Sequence, residues 1–380
     1  MRRKDFLKIG GMLAATASQT RLYGSPISKA SPTHGPVDFV HDGLLLSPKE
    51  YAALLMKLAD EGKIKTDYYS NGGVVEELEA KFVSLLGKES AVFMPTGTLA
   101  NHIAVRHLAG QNRRVIVQEQ SHLYNDTGDC AQTLSGLTLI PLGVNSVEFS
   151  LDELDSVVKK TQGGRVETHI GAISIESPVR RQKDQLFRYE SVQKIAEYAR
   201  SKDIKMHLDG ARLFVQPVHN NVSVVQYSAP FDTVYTSLWK CFNAASGAVL
   251  AGTKSFTTNL FHERRMFGSG LPAAWAFAAV ALYYADSFAK DYKQAWTNAQ
   301  QLFGLLQKDE RFSVTQFENG SHIVELTLKN ANPTRFREAL AKSNIELSAP
   351  TKASFLLKVN PSLNRIAPQS LASHFIESLS

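Results

Sequence analysis

Two cysteines, Cys130 and Cys241, in 380 residues are too few for a disulfide framework or a structural zinc site, and no metal is expected. Beyond the N-terminus no stretch offers the ~18 uninterrupted apolar residues that a membrane helix needs. Low-complexity tracts and internal repeats are missing too. Neither sign of charge dominates, because 42 Lys and Arg stand against 36 Asp and Glu. Of the formal +6, +3 comes from Arg2, Arg3, Lys4 and Lys8 against Asp5. Basic residues elsewhere are scattered among acids without an aromatic-interleaved stripe, which argues against a nucleic-acid partner. An anionic cofactor explains the surplus better. What is present is globular: 43% hydrophobic and 21% charged residues allow a sizeable core. The length suits a large α/β domain with a smaller appendage.

The chain begins with a basic segment, an apolar run from Ile9 to Ala17 and the small-residue spacing Ala15-Thr16-Ala17, which read as an export signal over residues 1–17. Arg2-Arg3 before Phe6-Leu7-Lys8 resembles a twin-arginine signal, although Lys4 and Asp5 stand where one residue is usual. This reading implies an exported, periplasmic protein that leaves the cytoplasm folded. The alternative, an amphipathic first helix, leaves it cytoplasmic. Residues 18–36, rich in Ser, Pro and Gly, read as a linker.

From about Ser47, helix-period segments alternate with short apolar runs, the pattern of a mainly parallel sheet covered by crossover helices. Strands are expected at Ala91-Met94, Arg114-Gln118, Ile170-Ile175, Lys205-Leu208, Thr233-Thr236 and Ala248-Ala251. Helices are expected at Glu76-Leu86, Thr98-Ala109, Leu151-Lys160 and Ser191-Ser201. These form a large domain over residues 37–270. A small α+β domain over residues 271–380 opens with one long helical stretch, Pro272 to Gln307. Strand-like Phe312-Gln316 and Ile323-Leu328, helix-like Pro333-Lys342, strand-like Phe355-Val359 and a last helix follow.

Three segments carry chemistry, each at the carboxyl end of an expected strand, where such folds bind ligands. Met94-Pro95-Thr96-Gly97-Thr98-Leu99-Ala100-Asn101 is a turn into a helix, where free N–H groups can hold a phosphate. Alone it could equally be a simple cap. His207-Leu208-Asp209-Gly210-Ala211-Arg212 puts an acid where it can keep a pyridine nitrogen protonated, or merely cap a helix. Thr236-Ser237-Leu238-Trp239-Lys240-Cys241-Phe242 embeds one lysine among large apolar residues. Burial lowers a lysine pKa, and an uncharged amine attacks an aldehyde; snorkelling to the surface is the plainer account.

The order of these parts, with His122 between the first two and Lys240 31 residues after Asp209, resembles that of fold-type I enzymes dependent on pyridoxal 5′-phosphate. More narrowly, the chain resembles the threonine aldolase and β-eliminating lyase family. The resemblance rests on Asp67-Tyr68-Tyr69-Ser70, Val75-Glu76-Glu77-Leu78-Glu79, Phe93 to Asn101, Ser121-His122, His207 to Phe214 and Ser237-Leu238-Trp239-Lys240. It implies that Lys240 holds the cofactor as a Schiff base, Asp209 pairs with the pyridine nitrogen and His122 stacks on the ring. Gly97, Thr98 and Ser237 would contact the phosphate, with Tyr69 reaching it from a partner subunit. Arg212 would sit near the ring hydroxyl or the substrate carboxylate. The assembly implied is a homodimer or homotetramer.

The implied reaction is retro-aldol cleavage of a β-hydroxy amino acid to glycine and an aldehyde, with His122 as the candidate base. One alternative is a β-eliminating lyase releasing ammonia and a keto acid. Another is a catalytically retired binding protein on the same fold. Several family motifs are altered: its Arg-Ser-Asp-Thr appears as Val40-His41-Asp42-Gly43, its Lys-Gly-Leu as Lys240-Cys241-Phe242, and its Gly-Gly-Gly-Met-Arg-Gln as Gly268 to Ala273. Where a C-terminal arginine would clamp the substrate carboxylate stands Lys358, a point charge on a flexible stem. Arg180 and Arg181, after Glu176-Ser177-Pro178, are candidate replacements, although adjacent arginines in a polar loop are usually solvated.

Overall fold

The computed structural model describes residues 35–379. The export-signal reading lies outside the described residues, as does almost all of the linker.

A two-residue strand β1 (Val37–Asp38) leads. Strands β2 (Ser90–Met94), β3 (Arg114–Gln118), β4 (Thr138–Leu142), β5 (Ile170–Glu176), β6 (Lys205–Asp209), β7 (Thr233–Ser237) and β8 (Ala248–Gly252) form one sheet in the order β2-β8-β7-β6-β5-β3-β4. From β7 to β4 every pairing is parallel, while β8 runs against both β2 and β7. Every residue of β5, β7 and β8 is buried, as expected when both faces of a parallel sheet are covered.

The longer helices around this sheet are α1 (Pro48–Asp60), α2 (Gly73–Leu86), α3 (Gly97–Ala109), α4 (Leu151–Gln162) and α5 (Tyr189–Ser201). Local chemistry sets their ends. Ser47 with Glu50 and Ser150 with Glu153 form capping boxes before α1 and α4. Gly87 closes α2 in the left-handed conformation at φ 65°. One core runs beneath them, in which Phe82, Phe214 and Phe242 meet edge to face at 4.9–5.9 Å.

The expected helix from Pro272 to Gln307 is two helices, α6 (Trp275–Ala285) and α7 (Phe288–Leu306). Their surroundings explain the break. Helix α6 is apolar on all sides and lies in the large core, whereas α7 changes partners along its length. Phe288 and Tyr292 belong to the large core, and Ala295 to Leu306 belong to a second one. That second core is completed by β9 (Phe312–Gln316), β10 (Ile323–Leu328), α8 (Pro333–Lys342), β11 (Ile345–Glu346), β12 (Ser354–Lys358) and α9 (Pro368–Glu377). Strands β12, β10 and β9 pair antiparallel in that order.

The N-terminal segment also packs here. β1 pairs in parallel with β11, and Val37 and Phe39 fill the second core rather than the large one. Asn360 donates to the Asp38 carbonyl at 2.7 Å, and Asp38 N–H donates to Ser362 Oγ at 2.9 Å. Residues 40–44 leave this anchor and cross to the large domain.

Buried Asp67 organises the approach to α6. Its carboxylate accepts from the N–H groups of Ala274 at 2.9 Å, Trp275 at 2.8 Å and Ser70 at 2.8 Å. It thereby caps α6 and fixes the turn in which Tyr69 and Ser70 take positive φ. Replacing Asp67 with Ala leaves those donors buried and is expected to cost about 2–3 kcal/mol. Chemical denaturation checks this, and an unchanged midpoint would contradict it.

Candidate active site

The carboxyl ends of β2, β3, β5, β6 and β7 deliver Met94, Gln118, Glu176, Asp209 and Ser237 to one edge of the sheet. Beyond that edge opens a cavity of about 470 Å³. Gly97, Thr98, His122, Arg212 and Lys240 line it together with His41, Asp42, Arg180, Trp239 and Lys358. Five of the eight residues singled out in the sequence therefore meet on one wall.

Gly97 opens α3, with Thr96 Oγ1 accepting from Leu99 N–H at 3.2 Å as the cap. A Cβ at Gly97 would overlap the Tyr235 hydroxyl, so only glycine lets the helix start come this close to β7. The result is a helix N-terminus aimed into the cavity, suited to an anion. Ser237 lies at the end of β7 behind this wall. Its Oγ is buried without a hydrogen-bond partner among the described residues, as is Thr236 Oγ1.

Asp209 is buried at the end of β6 and does not itself line the cavity. Its Oδ2 accepts from Asn101 Nδ2 at 2.6 Å and its Oδ1 from Ala211 N–H at 3.2 Å. Asn101 Oδ1 meets His207 Nε2 at 2.9 Å, and His207 Nδ1 meets Thr233 Oγ1 at 2.8 Å. Burial pushes the His207 pKa down to about 4. A neutral ring that donates from Nε2 to Asn101 and accepts at Nδ1 from the Thr233 hydroxyl fits this geometry. Neither Asn101 nor His207 carried an assigned role in the sequence. Spacing offered a signal for Asn101, because it lies one helical turn after Gly97 and so shares its face.

Burial, then repulsion from Arg212, hold the Lys240 amine below the ordinary lysine value. Its ammonium lies 5.7 Å from the Trp239 ring centre. Burial likewise lowers His122, whose Nδ1 is buried without a partner among the described residues. The His122 N–H donates to Glu176 Oε2 at 2.5 Å, and Arg180 N–H donates to Glu176 Oε1 at 2.9 Å. Burial and the nearby Asp209 charge push Glu176 up to about 8.

Arg212 reaches the cavity with its charge already paired. It contacts Asp42 at 3.0 Å and Asp184 at 3.4 Å. Asp42 in turn meets Lys358 at 3.1 Å and His322 at 3.2 Å. Burial works against these charges, but the opposed partners win: Asp42 is held well below the usual carboxylate range, and Arg212 is raised. Asp42, Asp184 and His322 stand close enough together to hold a cation, yet Arg212 and Lys358 already supply positive charge there.

The two adjacent arginines part ways. Arg180 lines the cavity and touches Asp126 only at 3.5 Å, whereas Arg181 is bound to Asp126 at 3.2 Å and does not line it. Tyr69 is not on the cavity wall of its own chain. Its N–H donates to Pro272 O at 3.0 Å, and its ring faces Arg265 at 4.5 Å.

These residues fit pyridoxal phosphate. A helix N-terminus and an unpartnered Ser237 hydroxyl suit its phosphate, Asp209 its ring nitrogen, the His122 ring its face and the Lys240 amine its aldehyde.

Comparison with known proteins agrees. A Schizosaccharomyces pombe protein named "Probable low-specificity L-threonine aldolase" is 25% identical over 93% of this chain and 91% of its own. The low-specificity L-threonine aldolase of Candida albicans is 25% identical over 73% of this chain and 75% of its own. Among solved structures, Leishmania major threonine aldolase shares the fold at a TM-score of 0.68, with 14% identity over 90% of this chain and 98% of that one. Residues 56–329 match the family model for β-eliminating lyases, and the chain belongs to that family, in which the threonine aldolases are its relatives.

Proposed function

We propose that this pyridoxal phosphate-dependent lyase cleaves the Cα–Cβ bond of a small β-hydroxy amino acid, releasing glycine and an aldehyde. One observation carries the reading: a single cavity joins an amine of lowered basicity, a helix N-terminus and the His122 imidazole, with the Asp209 carboxylate buried at the same edge of the sheet. The names of the relatives support a reaction of the aldolase type. Bound pyridoxal phosphate supplies an electron sink for the pair left when a bond to Cα breaks.

The chain's own residues do the rest. Burial disfavours the charged form of Lys240, and the uncharged amine is the form that attacks an aldehyde. Asp209 offers one oxygen to the ring nitrogen while Asn101 holds the other. Gly97, Thr98 and Ser237 orient the phosphate, and His122 covers the ring. Arg180 takes the substrate carboxylate, because the Arg212 guanidinium is committed to Asp42 and Asp184. Tyr69 reaches the phosphate from a second copy of the chain.

Three outcomes follow from this reading. Purified enzyme given L-threonine is expected to form glycine and acetaldehyde, whereas ammonia and a keto acid from L-cysteine or L-tryptophan would indicate β-elimination, and no turnover of any of them would mark a retired enzyme. Replacing Arg180 with Lys should raise KM about tenfold or more, with the cofactor spectrum intact, since a charged hydrogen bond contributes about 1.5–3 kcal/mol; an unchanged KM would rule Arg180 out. Replacing Asn101 with Ala strips a partner from both Asp209 and His207. Titration of the apoenzyme should then show cofactor affinity weakened about tenfold, and parent-like affinity would contradict the role of this contact.

A further inference from the structure

The cavity wall carries two imidazoles, and only His122 has a role so far. The other, His41, is built into the site with care. Asp38, buried beside it, places Oδ2 2.8 Å from His41 Nδ1. The other oxygen, Oδ1, accepts from Val40 N–H at 2.7 Å and His41 N–H at 3.3 Å. The His41 carbonyl accepts from Asn360 Nδ2 at 2.8 Å. A ring that donates Nδ1–H to a carboxylate presents the lone pair of Nε2, the state a proton acceptor needs.

The loop that carries His41 presses against the lysine. A Cβ at Gly43 would sit 2.7 Å from the Lys240 carbonyl oxygen, and Leu44 N–H donates to Asn243 Oδ1 at 2.8 Å. Position 41 also borders a second recess of about 500 Å³, walled mainly by Leu45, Leu46, Pro48, Tyr51, Leu55 and Ala244. The two cavities share His41, Asp42 and Trp239. A substrate with Cα beside Lys240 and its side chain in the apolar recess would cross the border that His41, Asp42 and Trp239 form between the two cavities.

We propose that His41, oriented by Asp38, is the base that takes the β-hydroxyl proton, with the β-substituent directed toward the apolar recess. The proton passes from the β-oxygen to His41 Nε2, the oxygen forms the aldehyde carbonyl, and the Cα–Cβ bond breaks with its electron pair remaining on Cα. A proton then returned to Cα completes glycine. Asp38 is a positioning residue in this scheme, and His122 is left to cover the ring. The other charged groups on the wall are Asp42, Arg180, Arg212, Lys240 and Lys358. Of these, Arg212 and Lys358 are each paired with Asp42.

This inference rests on the aldolase reading, and one experiment separates the two. The parent enzyme and the His41→Gln variant, both loaded with cofactor, are assayed for cleavage of L-threonine and L-phenylserine and for exchange of the glycine α-proton in D2O, a step with no β-hydroxyl. His41→Gln is expected to slow cleavage about 100-fold or more, as removal of a general base does, while exchange and the visible cofactor band persist. Asp38→Asn should lower kcat in the same direction with the cofactor band intact. If His41→Gln cleaves like the parent, or loses exchange as much as cleavage, His41 is not that base. If the parent itself cleaves neither amino acid, the aldolase reading falls first.

Discussion

The hydrogen bond from Asn101 to Asp209 ties the active site together. Asn101 rides on α3, whose first turn borders the cavity, and Asp209 ends β6 at the sheet edge. This contact therefore ties the helix start to the carboxylate at the sheet edge. Behind it His207 and Thr233 extend the chain to β7, three residues from whose end stands Lys240. A buried amide can point only one way when both of its ends are fixed, so the register of helix against sheet is fixed with it.

Charge compensation extends the same logic toward solvent. Arg212 on the sheet side, Asp42 from the N-terminal segment, Asp184 from the loop after β5, His322 just before β10 and the partly buried Lys358 on β12 meet in one cluster. No member could be buried alone at acceptable cost. The cluster joins the C-terminal sheet to the large core beside the cavity, which Asp42, Arg212 and Lys358 line. Trimming Arg212 or Asp42 would leave a buried partner short of counter-charge, a larger loss than the pair itself contributes.

Much of this was legible in the sequence where the signal is local. Strands Arg114–Gln118, Phe312–Gln316 and Ile323–Leu328 match the apolar runs residue for residue, and the Pro-Thr-Gly-Thr and Leu-Asp-Gly-Ala-Arg blocks fall at strand ends as read. The fold class follows from that alternation. What stayed hidden depends on contacts across hundreds of residues. Val37 and Asp38 pair with a strand some three hundred positions away, and nothing local marks Asp38 as the partner of Asn360 and Ser362. The break between α6 and α7 follows from a change of packing partner, to which helical periodicity is blind. In the same way Asp42 and His41 looked like a degraded family motif, although their geometry gives each a distinct set of partners.

The central claim is that Lys240 carries the cofactor, and its most direct test is covalent. Borohydride treatment of the purified, cofactor-loaded protein, followed by proteolysis and mass spectrometry, should place a phosphopyridoxyl group on the peptide containing Lys240, with loss of the visible Schiff-base band. A label on another lysine, or no band and no label after cofactor is added, would contradict the account.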